Sequence, residues 1–184
     1  MDRADRDEIR ARWSCTTRPS SRPSLPRDGQ RAVPEFYEFH RRQKDLRYSD
    51  RVIYSPTVLV FGDDDGALLA RPYPVSFLTA AAPNLGAITA SQPGATSTVP
   101  AVLHARAARI LQVATANQHR RLVLGAWGCG VFGNDPAVVA AAFARVLQPP
   151  SGVDHVVFAV HDLQPGAPVY RTFSNILAMN KLPD

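Results

Sequence analysis

Apolar and polar positions along this chain follow two different periods. From Ala101 to Asn117, Val102, Ala105, Ala108, Ile110, Leu111, Val113 and Ala114 recur at roughly helical spacing, with Arg106, Arg109 and Gln112 on other faces, which predicts an amphipathic helix. Pro136 to Leu147 (PAVVAAAFARVL) predicts a second, stopped by Pro149, Pro150 and Gly152. Shorter, nearly continuous apolar runs at Val75 to Ala81, Arg121 to Leu124 and Asp154 to Val160 predict buried strands. Arg51 to Phe61 predicts two extended pieces hinged at Pro56, suited to a sheet edge because proline donates no ladder hydrogen bond. Pro34 opens a short predicted helix, Glu35 to Gln43, with Phe36, Tyr37 and Phe39 as its aromatic face. Val169 to Met179 predicts a closing helix, whereas Ala87 to Pro100, small and polar, predicts a loop.

The stretch Leu122 to Asn134 (LVLGAWGCGVFGN) joins the strand at Arg121 to Leu124 to the helix at Pro136. It holds four glycines, Gly125, Gly128, Gly130 and Gly133, and is followed directly by an Asp135-Pro136 helix start. Strand, glycine-rich loop and helix in that order let a backbone approach an anion closely, beside the positive end of the helix dipole. A phosphate-bearing ligand is therefore expected here. A plain connecting turn is the competing possibility, but the glycines exceed what a short connection needs. Trp127 and Phe132 stand where a loop is normally polar, and an aromatic ring beside a phosphate cradle can stack on a sugar or base. No Gly-Lys-Ser/Thr follows, so an NTPase loop is not inferred. Strand, helix and strand with short links predict a right-handed crossover between parallel strands, with the ligand beyond their carboxyl ends.

Composition bounds the picture without changing it. The 184 residues suit one domain, and the formal charge of +5 comes from arginines concentrated before Arg51. No aromatic-basic alternation or nucleic-acid reading module accompanies them, so direct DNA binding is not expected and a solvated segment is preferred. Ser14 to Gly29, with three prolines, reads as loop or locally disordered. Residues 1–30 are accordingly taken as a poorly ordered basic segment and 31–184 as the domain. Cys15 and Cys129 form no metal-like pair or disulfide framework. Neither a membrane span nor a signal-like start is present, so a cytoplasmic, membrane-free protein without metal or cofactor is expected. Gly62 to Gly66, with three adjacent aspartates, reads as a hairpin tip because calcium loops alternate their ligands. Cys129 could act as a nucleophile, but His104, His119, His155 and His161 share no motif with it. A buried thiol is preferred.

The loop Gly125 to Asn134, together with Tyr48-Ser49-Asp50-Arg51-Val52-Ile53-Tyr54-Ser55-Pro56, the Asp64-Asp65-Gly66 turn and Ala82-Pro83-Asn84, closely resembles the bacterial-type poly(ADP-ribose) glycohydrolases, which are macrodomain proteins. The resemblance covers about Phe36 to the C-terminus. It implies an α/β, three-layer α/β/α macrodomain-like fold with a mixed, largely parallel sheet, here lacking the family's first strands. It also implies that Gly128, Cys129, Gly130, Val131, Phe132, Gly133 and Asn134 hold the diphosphate and ribose of ADP-ribose, with Phe132 against the ribose. The family's catalytic signature is a triple-glycine loop followed by Gln-Glu-Glu, whose second Glu is the general acid. Arg6-Asp7-Glu8 looks like its tail, with Glu8 as the acid, while nothing matches the triple glycine. The implied activity is hydrolysis of the ribose-ribose O-glycosidic bond of poly(ADP-ribose), releasing ADP-ribose. The alternatives are an ADP-ribose-binding module without catalysis or an inactive shortened member.

Overall fold

In the computed structural model, which describes residues 34–63 and 66–179, the predicted order of helices and strands holds, with one segment changed. The described residues fall into two units, 34–41 with 53–78 and 42–52 with 79–179. In the first unit, helix α1 (Pro34–Arg42) carries the expected aromatic cluster, with Phe36 5.3 Å from Tyr37 and 4.3 Å from His40 between ring centroids. Strands β1 (Val52–Gly62) and β2 (Leu68–Ala80) pair as a two-stranded ribbon. The tip closes on Asp63, whose N–H donates to the Ala67 carbonyl at 2.9 Å and whose Oδ1 accepts from the Ala67 N–H at 2.8 Å. That turn chemistry is what the glycines and aspartates at this point predict.

Two expectations for this ribbon are corrected. β1 does not divide at Pro56 but runs on through Thr57, which takes a left-handed φ of 55° while its N–H reaches Ser76 Oγ at 3.4 Å. Its partner β2 starts at Leu68 rather than Val75 and passes through Pro72 and Pro74. Proline is tolerated there because those positions are exposed. Val75 to Leu78 are half-buried rather than fully buried, since a two-stranded ribbon offers each strand a single paired neighbour.

The second unit is built on a strand-helix-strand repeat. β3 (Arg121–Gly125) and β4 (His155–Ala159) pair in parallel, in register from Arg121 opposite His155 to Gly125 opposite Ala159. Helix α2 (Leu85–Ser91), a 3-10 turn at Pro93–Thr98 and α3 (Val99–Ala116) precede β3; α4 (Pro136–Val146) joins β3 to β4, and α5 (Pro168–Met179) closes the unit. α3 packs on α4, and α4 on α5. Their buried faces are Leu103, Ala107, Ile110, Leu111 and Ala114 against Val139, Ala140, Phe143 and Ala144. The alanines let the helix axes approach closely. Among the described residues the four strands form two sheets of two, β1 with β2 and β3 with β4.

The segment expected as a loop, Ala87 to Pro100, is helical. Asn84 caps α2 by accepting the Ala87 N–H on Oδ1 at 3.1 Å, and Pro100 sits in the first turn of α3. Seven residues between breakers are too few to display a helical period, which is why the pattern missed α2. At the other end of the chain, Asp162 Oδ2 accepts from the Val169 and Tyr170 N–H groups at 2.7 and 3.2 Å, capping α5. Burial pulls that carboxyl upward, but bonds from Gln164, Tyr170 and Val169 outweigh it and hold it below the ordinary carboxylate range. No helix of the described residues is long and apolar enough to cross a membrane.

Candidate functional site

The glycine loop leaves β3 at Gly125 and enters α4 through Asp135, whose Oδ1 accepts the Ala137 N–H at 2.8 Å as an N-cap. The loop is thus fixed between a parallel strand and a helix N-terminus. Its first half turns on short bonds, Trp127 N–H to the Gly125 carbonyl at 2.8 Å and Cys129 N–H to the Ala126 carbonyl at 3.0 Å. Its second half closes with Gly133 N–H to Gly130 and Asn134 N–H to Gly128, at 2.9 and 3.0 Å. Gly128 and Gly133 take left-handed φ angles of 75° and 68°. At Gly128 a Cβ would lie 2.5 Å from Asn134 Nδ2 and 2.7 Å from Ala82 Cβ, so both the conformation and the space require glycine.

Between those two glycines, the amides of Gly130, Val131 and Phe132 donate to no acceptor among the described residues. Val131 is 98% exposed, and a Cβ at Gly130 would meet nothing within 4 Å. Three successive unspent N–H groups ahead of a helix N-terminus are the kind of backbone donors an anion can take. Cys129 lies within this stretch, and burial, with the Asp135 carboxylate adding to it, pushes its thiol up to about 11. A thiol so shifted is protonated at neutral pH, although the residue is half-buried rather than buried as expected.

The two aromatic residues of the loop part company. Trp127 turns inward: its indole N–H donates to the Ala80 carbonyl at 3.1 Å, and its ring meets Phe143 edge-on at 6.2 Å. Phe143, Phe158 and Phe173 continue that contact through α4, β4 and α5. Trp127 is half-buried with its N–H spent inside the unit, so it packs inward rather than standing free to stack on a ligand as expected. Phe132 stays half-buried at the loop. Asn134, expected to touch ligand, is only 2% exposed. Its Nδ2 donates to the Pro83 and Gly128 carbonyls at 2.8 and 3.0 Å, while Oδ1 is buried with no partner. Its side chain holds the loop from behind, against Ala82-Pro83-Asn84.

Further supports had no signal in the sequence pattern. Arg106, placed by periodicity off the apolar face, is 3% exposed; its Nε donates to Asp50 Oδ1 at 2.9 Å and its Nη1 to the Ala81 carbonyl at 3.0 Å. A guanidinium is buried here because two acceptors satisfy it. Gln92 similarly ties the chain at 44–46, accepting from Leu46 N–H at 3.1 Å and donating to the Lys44 carbonyl at 2.7 Å. No group of three or more metal-ligating side chains occurs among the described residues. Glu8, with the rest of the expected acid motif, lies outside the described residues.

This α/β unit, with its glycine-rich loop between a parallel strand and a capped helix, matches solved structures of macrodomain-like proteins. The family model of the microbial-type PARG catalytic domain matches residues 24–63. The poly(ADP-ribose) glycohydrolase of Deinococcus radiodurans in apo form is 43% identical, with a TM-score of 0.77 over 82% of this chain and 63% of its own. The same enzyme crystallised with ADP-ribose is 43% identical, with a TM-score of 0.78 over 82% of this chain and 61% of its own. That of Thermomonospora curvata is 53% identical, with a TM-score of 0.74 over 79% of this chain and 54% of its own. On these matches the chain belongs to the microbial-type poly(ADP-ribose) glycohydrolase family. It spans 54–63% of the length of these solved structures. No curated protein sequence matches it.

Proposed function

We infer that this chain binds ADP-ribose through Gly128, Cys129, Gly130, Val131, Phe132, Gly133 and Asn134, and acts on poly(ADP-ribose) as a glycohydrolase. The observation that carries the reading is the row of three unspent amides at Gly130, Val131 and Phe132, on a chain related to enzymes crystallised with ADP-ribose. In this reading the amides take the diphosphate, Phe132 packs on the ribose, and Asn134 contributes by shaping the loop. Glu8 protonates the leaving oxygen of the ribose-ribose bond while water attacks an oxocarbenium-like centre. The site needs no cofactor or metal, and the domain comprises residues 31–184.

Binding without hydrolysis is the second reading, and one observation favours it. The unspent amides of the glycine loop supply binding by themselves, whereas hydrolysis also needs an acid at the ribose-ribose oxygen. Purified protein incubated with poly(ADP-ribose) separates the two. Release of ADP-ribose by the wild type, abolished in Glu8→Gln, supports hydrolysis; equal rates in both remove Glu8 from the chemistry. Gly130→Glu tests the loop by calorimetry with ADP-ribose. The side chain enters open space and sets a carboxylate beside the amides, so affinity should fall at least about tenfold, a loss of roughly 1.4 kcal/mol. Unchanged affinity would move the ligand elsewhere.

A further inference from the structure

Tyr48 is a bulky aromatic residue held at a φ of 61°, a left-handed conformation that normally falls to glycine or asparagine. Such an outlier persists only where the surroundings over-determine it. Here both flanks are pinned. On one side the Tyr48 N–H closes a turn onto the Asp45 carbonyl at 3.0 Å. Asp45 accepts from the Arg47 N–H, Nε and Nη2 at 2.9, 3.0 and 2.7 Å, and Arg47 Nη1 reaches Thr98 Oγ1 at 3.1 Å. On the other side Asp50 is bound to the buried Arg106 at 2.9 Å. The Asn84 N–H also donates to the Leu46 carbonyl at 3.1 Å, tying the same segment to the cap of α2.

What the constrained backbone delivers is a ring. The Tyr48 ring lies 6.2 Å from that of Phe132, tilted by 39°, within the range of a stabilising aromatic pair. Phe132 carries one of the three unspent amides, and its carbonyl accepts the Gly86 N–H at 3.0 Å. Its main chain is thereby fixed by α2 and its ring by Tyr48. We propose that Tyr48 is a positioning residue, which sets the Phe132 ring and through it selects ligands carrying a sugar beside the diphosphate. The selectivity part rests on the ADP-ribose reading of the loop; the ring contact does not.

Tyr48→Gly and Tyr48→Asn both suit the left-handed backbone and remove the ring, and Tyr48→Phe keeps the ring. In ligand-free protein, the NMR signals of the Phe132 ring and of the Gly130 to Phe132 amides should shift in the first two variants and return to wild-type positions in Tyr48→Phe. Calorimetry should show ADP-ribose affinity falling about five- to tenfold in the ring-less variants. Inorganic pyrophosphate, which has no sugar, should bind all four proteins within about twofold. Phe132 signals that stay put in both ring-less variants would overturn the positioning role. Equal losses for ADP-ribose and pyrophosphate would overturn the selectivity. A wild type that gives no heat with ADP-ribose ends the binding reading and the selectivity with it, while the ligand-free spectra still decide the role of Tyr48.

Discussion

Asn134 shows how one side chain can set a loop without facing its ligand. Its amide donates to two carbonyls, so an oxygen in place of Nδ2 would confront two other oxygens. Asn134→Asp should therefore cost about 3 kcal/mol at pH 7, from two lost bonds and a buried charge. The new carboxyl would have a folded pKa raised above the unfolded value of about 3.9. Its penalty is then absent below the unfolded pKa and grows as pH rises through the interval between the two values. Denaturant titrations at pH 7 and pH 4 should show the gap to wild type narrowing at acid pH. A second residue-scale test uses Cys129. With its thiol raised to about 11, a Cys15→Ser protein should react slowly with iodoacetamide at pH 8 and accelerate only above pH 10. Rapid alkylation at pH 8 would contradict the raised thiol pKa.

At the scale of elements, long periodic segments were legible and their unpatterned neighbours were not. α3, α4, β3 and β4 stand where periodicity and apolar runs predict them, each within two residues. α2 escaped because a cap at Asn84, not a period, defines it. Arg106 escaped because its partners, Asp50 and the Ala81 carbonyl, are 56 and 25 positions away in the chain. Sequence spacing reports neighbours three or four residues apart and is blind to such distances. Arg106 links α3 to the chain before β1 and to the chain after β2, so its loss should loosen both. Asp50 is 64% exposed on its side chain, which leaves the Ala81 carbonyl and the emptied space as the main penalties. Arg106→Met should cost about 2 kcal/mol and lower the melting temperature by roughly 4–8 °C. A shift under about 1 °C would show that the guanidinium is dispensable.

For the molecule as a whole, a ligand that binds the folded state raises its stability by mass action. ADP-ribose at about a hundred times its Kd should add about 2.7 kcal/mol, or roughly 5–10 °C in thermal melting. Gly130→Glu should lose this shift while melting near the wild-type temperature without ligand. By itself the sequence determined the strand-loop-helix order at Leu122 to Asn134, the α/β class and the family, because local period, turn residues and motif spacing are properties of contiguous chain. Only the tertiary structure decided which loop residues turn outward and which support it. Trp127 and Phe132 look alike in the sequence, yet one spends its indole N–H on the Ala80 carbonyl and packs on Phe143, and the other keeps its place beside the free amides. That division depends on which distant carbonyls and rings the fold brings within hydrogen-bond and van der Waals range, and no pattern along the chain encodes those distances.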